Sequence, residues 1–468
     1  MTRIGPNARR SLRDSFLVAP GYIVPGIATL IGVPILFGTL GAAQYGLWSL
    51  INAIASGVPL LTTSSMEALT LRFGHRAQGR SRTWEWILSA SASGALGAIL
   101  AALFIPGSTP GAILATAALS AAVGVYLIWN ASLQSGLRFG TSSTMASVRA
   151  LLGLTLAVAG AVLTGSAIVA AWGLTAGFIS AVVASHVLRR PGSQRVEEVS
   201  GQPVGRVPSS RLSYGLGSVI VAVGLFELSV GDRFILSALS GLSELGVYAA
   251  IYTLQDLILR LTPTVVLVAV RPRIFRAWDG ANVRRVTMGT AGITALIIWL
   301  GLALTAGILL AGELLGASGS AAPLLGPIAI GLSAGVAAAS VSFLYSAAER
   351  QWRLASHVTT AAILNVALNL LWVPEHGALG SAYATAISFV GLFGLHVAGF
   401  HRNLLEDRVF VILGLLSLAV TIVIGVGSSL MGGMIWPAMG LLAAALLVPV
   451  GLRSVQLLIP AIDAPVVQ

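Results

Sequence analysis

The chain is a succession of long apolar runs separated by short segments that carry arginine. About 20 helical residues, rising ~1.5 Å each, cross a hydrocarbon core of ~30 Å. Fourteen runs reach that length, near 16–38, 45–66, 84–105, 111–131, 145–164, 166–188, 212–236, 245–269, 287–311, 321–346, 354–373, 377–400, 408–429 and 432–452. Each is predicted to be a transmembrane helix. The first run follows Arg3, Arg9, Arg10 and Arg13 directly and is too long and too proline-broken for the apolar core of a signal peptide. It is read as the first span.

The arginines test this pattern. Alternating spans send every second loop to the cytoplasm, where basic residues collect. With the N-terminus inside, 25 of the 27 arginines fall in cytoplasmic segments, including Arg72, Arg76, Arg80 and Arg82; Arg138 and Arg149; and Arg271, Arg273 and Arg276. The opposite loops, such as "FIPGSTPG" at 104–111 and "LTGSA" at 163–167, carry none. An even number of spans follows, with both termini cytoplasmic.

Composition agrees and narrows the function classes. Of 468 residues 56% are hydrophobic and 9% charged, whereas roughly a quarter of a soluble chain is charged. A water-soluble enzyme is excluded. The net charge of +11 comes from 27 arginines, with no lysine, against 16 acids. Because those arginines sit in short loops, the excess reads as a topological signal rather than a nucleic-acid surface. The absence of cysteine removes disulfides, thiolate catalysis and thiolate metal sites.

The longest polar stretch, "RRPGSQRVEEVSGQPVGRVPSSR" at 189–211, reads as a linker. It divides an N-terminal lobe (1–190) from a C-terminal lobe (212–400), with 191–211 as linker and two added helices in 401–468. A repeat supports the division. "LGAAQYGLW" at 40–48 and "SGLSELGVY" at 240–248 share Gly41/Gly241 and Gly46/Gly246 at an offset of 200 residues. Each copy lies in the outer turn between the first two spans of its lobe, as expected for parallel repeats about an axis along the membrane normal. The fold class is therefore an all-α polytopic membrane protein of about 14 transmembrane helices: two pseudo-symmetric six-helix lobes plus two C-terminal helices.

Charges inside spans are costly and by default face a cavity or a partner. Glu227, Asp232 and Arg233 in span seven, with Asp256 and Arg260 in span eight, are the informative set. Asp256 and Arg260 share a helix face. Either they form a charged patch in a hydrated cavity, Arg260 meeting a phosphate and a carboxylate titrating or binding a cation, or they are a structural ion pair. Asp232 and Arg233 lie near the outer interface, where a structural role is favoured. Gln134 and Arg138 end span four and are candidates for a cytoplasmic mouth; Glu67 and Arg72 close span two in a topology-fixing role. No catalytic residue is expected.

Other features are read as structural. "GHRAQGRS" at 74–81 matches a phosphate loop except that Arg80 replaces the lysine, and it lies in a basic loop rather than between strand and helix. His186, His357 and His396 lack metal-ligand spacing, so no metal is expected. Gly136/Gly140 and Gly173/Gly177 read as close helix packing. The prolines Pro20, Pro25 and Pro34, Pro263, and Pro323 and Pro327 mark where helix breaks or kinks are expected.

Several strings resemble one family. "PILFGTLGAAQYGLWSLINAI" (34–54), "LQSGLRFG" (133–140), "GDRFILSALSGLSELGVYAAIYTLQDLI" (231–258), "RPRIF" (271–275) and "AERQWRLASHVTTAAILNVALNLLWVPEHGALGSAYATAIS" (348–388) are similar to the Wzx-like oligosaccharide flippases of the multidrug/oligosaccharidyl-lipid/polysaccharide (MOP) exporter superfamily. Asp232, Arg233, Gly241, Gly246 and Tyr248 match its signature positions. The resemblance implies a MATE-like, alternating-access flippase in a bacterial cell membrane. It would move an undecaprenyl-diphosphate-linked oligosaccharide to the outer leaflet for cell-surface polysaccharide assembly. It further implies coupling to H+ or Na+, no other cofactor, and partnership with the lipid bilayer, the polyprenyl-diphosphate-linked oligosaccharide and a polysaccharide polymerase or assembly protein, but no nucleic acid. The related alternatives are a MATE-like ion-coupled small-molecule exporter and a lipid II-type peptidoglycan precursor flippase. The cationic Arg260 argues against a cation exporter. The lack of arginine between Arg13 and Arg72 argues against the peptidoglycan assignment.

Overall fold

A computed structural model describes residues 20–73, 83–135, 138–187, 209–259, 283–314, 322–399, 414–431 and 433–448. Among the described residues every regular element is helical, so this is an all-α polytopic membrane protein. In chain order the elements are α1 (Pro20–Phe73), α2 (Thr83–Phe104), α3 (Pro110–Ser135), α4 (Phe139–Thr164), α5 (Ala167–Val187) and α6 (Ser209–Phe226). A π-helical turn, Glu227–Gly231, leads into α7 (Asp232–Leu239), followed by α8 (242–259). Then come α9 (Val283–Leu314), α10 (Ala322–Ala347), α11 (Gln351–Gly399), α12 (Leu416–Met431) and α13 (Ile435–Leu446). Eight of the described helices are long and apolar enough to cross a membrane. The lookalike phosphate loop at 74–81, linker residues 189–208, Arg260 and Pro263 lie outside the described residues.

Two of these helices are too long for one crossing. The 54 residues of α1 and the 49 of α11 are each interrupted by one non-helical glycine, Gly41 (φ 71°, ψ 167°) and Gly377 (φ 53°, ψ −131°). This corrects the expectation that prolines mark the breaks. Pro25, Pro34 and Pro59 lie inside α1, and Pro374 inside α11, without non-helical backbone of their own. A proline ring holds φ near −65° and cannot adopt the positive φ of these turns, which glycine reaches without steric cost.

The repeat read at an offset of 200 has a structural counterpart. Gly241, like Gly41, has a positive φ (89°). Beyond each glycine the burial runs in step: Tyr45 and Trp48 of one copy, and Leu245 and Tyr248 of the other, are all buried.

The chain groups into two compact units, the described parts of 16–226 and of 227–468. In the first, α4 and α5 approach backbone to backbone. A Cβ on Gly173 would fall against Leu156 and Ala157, and one on Gly177 would lie 2.8 Å from Arg149 O and closer still to Gly153. The Gly173/Gly177 spacing thus does pack helices, whereas Gly140 has open space where its Cβ would be. Helix α6 belongs to this unit, with the Phe226 ring against Gly57 of α1. In the second unit α10 is the buried centre. The C-terminal helices α12 and α13 pack on α9 and α10. Leu302, Ala306, Leu309, Ile424 and Ala444 form one core cluster, and Trp299 Nε1 donates to Ala444 O at 2.9 Å.

Candidate functional site

A set of buried polar residues converges in the second unit, where the π turn leads into α7. A π turn inserts an extra residue and re-aims the side chains beyond it, and such turns recur at functional sites. Asp232, the first residue of α7, is 1% exposed. Its Oδ2 accepts from the Tyr248 hydroxyl of α8 at 2.5 Å and from Thr385 Oγ1 of α11 at 3.1 Å. Its Oδ1 is enclosed and has no hydrogen-bond partner.

The break at Gly377 completes the site by folding the second half of α11 against the first. Asn365 Nδ2 of the first half donates to Thr385 Oγ1 of the second at 3.4 Å. One turn along, Asn369 Nδ2 donates to Asn365 Oδ1 at 3.0 Å and to Asn365 O at 2.9 Å. In this antiparallel register Asn369 is level with Ser381, as Asn365 is with Thr385. Asn369 Oδ1 and Ser381 Oγ are both enclosed and unpartnered. The break itself is capped by Glu244 of α8, whose Oε1 accepts from Ala378 N at 2.7 Å.

The cluster therefore offers one carboxylate and a set of neutral amide and hydroxyl oxygens, with one carboxylate oxygen and two neutral oxygens without a donor. Buried acceptors normally find a donor. A carboxylate takes a proton, and carboxylate, amide and hydroxyl oxygens together suit a hard cation rather than a soft one. Among the described residues no three His, Asp or Glu side chains converge as a metal site.

The other sequence candidates make none of these hydrogen bonds. Arg233 is 7% exposed, its Cζ 5.6 Å from the Tyr252 ring centroid. Glu227 lies in the π turn with its side chain folded against Gly231 and both carboxylate oxygens enclosed without a hydrogen bond. Asp256 is half-buried on α8, and its proposed neighbour Arg260 lies outside the described residues. Gln134, at the end of α3, and Arg138, just before α4, are half-buried in the first unit, and Arg138 N donates to Leu133 O at 2.9 Å. They are not part of the cluster. Sequence reasoning missed Asn365, Asn369, Ser381 and Thr385. The signal was there as two polar pairs of i, i+4 spacing inside apolar runs, one on each side of Gly377.

Residues 11–278 match the family described as "Polysaccharide biosynthesis protein". The chain belongs to this family. It is a Wzx-like membrane transporter of the MOP superfamily. The match takes in Asp232, Arg233 and Tyr248 and ends before the residues of α11. No curated protein sequence matches the chain. Among solved structures, a lipid II flippase MurJ in an inward closed conformation aligns with TM-score 0.64 at 14% identity, over 94% of this chain and 98% of that one. A MATE protein in its straight conformation aligns with TM-score 0.56 at 13% identity, over 87% and 97% of the two chains. An outward-facing multidrug resistance MATE family transporter of the MOP superfamily gives TM-score 0.53 at 14% identity, over 87% and 97%. At these identities the likeness is one of fold.

Proposed function

We propose that this family member is an ion-coupled, alternating-access flippase that carries an undecaprenyl-diphosphate-linked oligosaccharide from the cytoplasmic to the outer leaflet. It acts in a bacterial inner or plasma membrane, with both termini cytoplasmic, and hands its cargo to a polysaccharide polymerase or assembly protein. Membership of the polysaccharide biosynthesis family supports the class of cargo. The need is physical: each unsatisfied polar group of a sugar chain costs several kcal/mol in hydrocarbon.

The observation that carries the coupling is Asp232, a buried carboxylate with one oxygen held by Tyr248 and Thr385 and the other without a hydrogen bond, joined through Thr385 to the polar side chains of α11. Binding H+ or Na+ there neutralises the carboxylate, and release leaves a buried charge held by Tyr248, Thr385 and the neighbouring Arg233, so the two states differ in free energy. A lipid II flippase is the second reading, favoured by the likeness to MurJ. The absence of arginine between Arg13 and Arg72 weighs against it.

The test is a deletion strain together with reconstituted protein. Deletion is expected to trap lipid-linked oligosaccharide on the cytoplasmic leaflet, and an imposed Na+ or H+ gradient to accelerate flipping in proteoliposomes. Normal surface polysaccharide in a strain without a redundant flippase would refute the cargo. Accumulation of lipid II instead would transfer the assignment to the second reading. Flipping indifferent to both gradients would remove the coupling.

A further inference from the structure

The topological reading groups Arg149 with the cytoplasmic arginines, with span five beginning near 145. The structure places it elsewhere: α4 starts at Phe139, so Arg149 is the eleventh residue of a continuous helix. Its guanidinium carbon lies 5.5 Å from the Tyr126 ring centroid of α3 and 5.1 Å from that of Phe178 of α5. Those two rings pack edge to face, 5.2 Å between centroids at 84°.

The depth follows from helix rise. Arg149, Tyr126 and Phe178 are fifteen, sixteen and eleven residues from the outer ends of their helices at Thr164, Pro110 and Ala167. At ~1.5 Å per residue they lie roughly 22, 24 and 17 Å below those ends. A guanidinium held between the two rings is therefore ~20 Å into a ~30 Å core and short of the cytoplasmic interface.

Among the described residues of the unit no acidic side chain answers it. The described side chains between 20 and 226 include Arg138, Arg149 and His186 but no aspartate or glutamate. Arg149 Nε is enclosed and has no hydrogen-bond acceptor. Among the described residues the side chain makes two cation–π contacts, which stabilise a cation but leave its charge and its N–H groups unspent. A cation at this depth is costly and by default marks a ligand or a partner.

We infer that Arg149, walled by Tyr126 and Phe178, is an anion site within the membrane that takes a lipid-borne phosphate group. The planar guanidinium suits phosphate through paired N–H···O bonds. The half-exposed side chain leaves its terminal nitrogens open to such a group. Two lipids bear this chemistry: the polyprenyl diphosphate of the cargo and an anionic phospholipid of the cytoplasmic leaflet. The site is independent of the Asp232 cluster, so either assignment can fail alone.

The experiment is lipid retention by the purified full chain, read by native mass spectrometry after incubation with undecaprenyl diphosphate, phosphatidylglycerol or phosphatidylcholine. Wild type is expected to retain one or both anionic lipids over phosphatidylcholine. Arg149→Gln should lose that preference about tenfold or more, and Arg149→Lys should recover part of it, since an ammonium lacks the planar fork. Retention of the diphosphate alone assigns the site to cargo, and of phosphatidylglycerol alone to a bound membrane lipid; both uphold a phosphate site. Equal retention by wild type and Arg149→Gln would overturn it. Should both variants misfold, wild-type melting decides: no stabilisation by either anionic lipid beyond phosphatidylcholine refutes the site.

Discussion

The Tyr248 hydroxyl donates to Asp232 Oδ2 at 2.5 Å and ties the first residue of α7 to α8, while Oδ1 of the same carboxylate is enclosed without a partner. The two oxygens thus have different work. One holds helices together; the other is free for a proton or cation. Asp232→Asn keeps the shape and an acceptor for Tyr248 but abolishes the charge. It should fold normally and lose gradient-driven flipping by about tenfold or more, a barrier change of ~1.4 kcal/mol. Asp232→Ala should also destabilise, because the buried hydroxyls of Tyr248 and Thr385 lose their acceptor at about 1–3 kcal/mol each. Flipping in proteoliposomes and thermal melting of the same preparations separate the two effects. Undiminished, gradient-dependent flipping by Asp232→Asn would show that the carboxylate is not the coupling group.

The Gly377 break carries the rest of the cluster, since Asn365 and Asn369 meet Ser381 and Thr385 only if α11 folds back there. A Cβ at Gly377 would meet the Glu244 carboxylate, and φ of 53° with ψ of −131° is strained for any L side chain. Gly377→Ala is expected to cost ~1–3 kcal/mol from backbone strain and to weaken ion binding by disturbing the register. Glu244→Gln keeps an acceptor for Ala378 N and should be mild, whereas Glu244→Ala should approach the glycine variant. Melting temperature with and without saturating Na+ checks both. A Gly377→Ala protein with unchanged stability and ion response would mean the break does not set the site.

The packing of α4 against α5 gives a prediction about the first unit alone. Gly177→Val would drive a branched side chain into the Gly153 backbone and Arg149 O. Overpacking typically costs ~1–3 kcal/mol, and here the obstruction is backbone, which cannot rotate away. Gly140→Ala, with open space at its Cβ, is the matched control and should be neutral. Detergent melting and size-exclusion profiles compare them. Equal stability of the two variants would contradict the close approach.

Much of the fold was legible because a bilayer imposes it: apolar runs long enough to cross need no tertiary knowledge. Gly41 and Gly241 were legible as a repeat, and both take up positive φ. Asp232 stood out because a charge in a span is rare, but Asn365, Asn369, Ser381 and Thr385 did not, since uncharged polar residues are common between packed helices. Their significance depends on the register across Gly377, a contact at a distance of 20 residues for Asn365 and Thr385. Pro25 and Pro34 drew attention away from the true break at Gly41. Arg149 was misplaced because apolarity alone began span five near 145, six residues inside the true start of α4 at Phe139.

The C-terminal helices had no counterpart in the repeat, and their packing says what their removal would do. Lipid can replace water-excluding contacts of Leu302, Leu309 and Ile424, because tails are as apolar as the side chains they would displace. Lipid cannot replace close backbone approach or a directed hydrogen bond. Gly326 of α10 packs against Gly425 of α12, and Trp299 of α9 donates to Ala444 O of α13. A chain ending at residue 407 should therefore still insert with its earlier spans intact, yet melt at a lower temperature than the full chain. Trp299→Phe, which removes one hydrogen bond, should cost about 0.5–1.5 kcal/mol and Gly425→Val considerably more. Membrane fractionation checks insertion, and melting of the purified proteins checks the order full chain, Trp299→Phe, Gly425→Val. A truncated chain as stable as the full one would show that α12 and α13 ride on the second unit without supporting it.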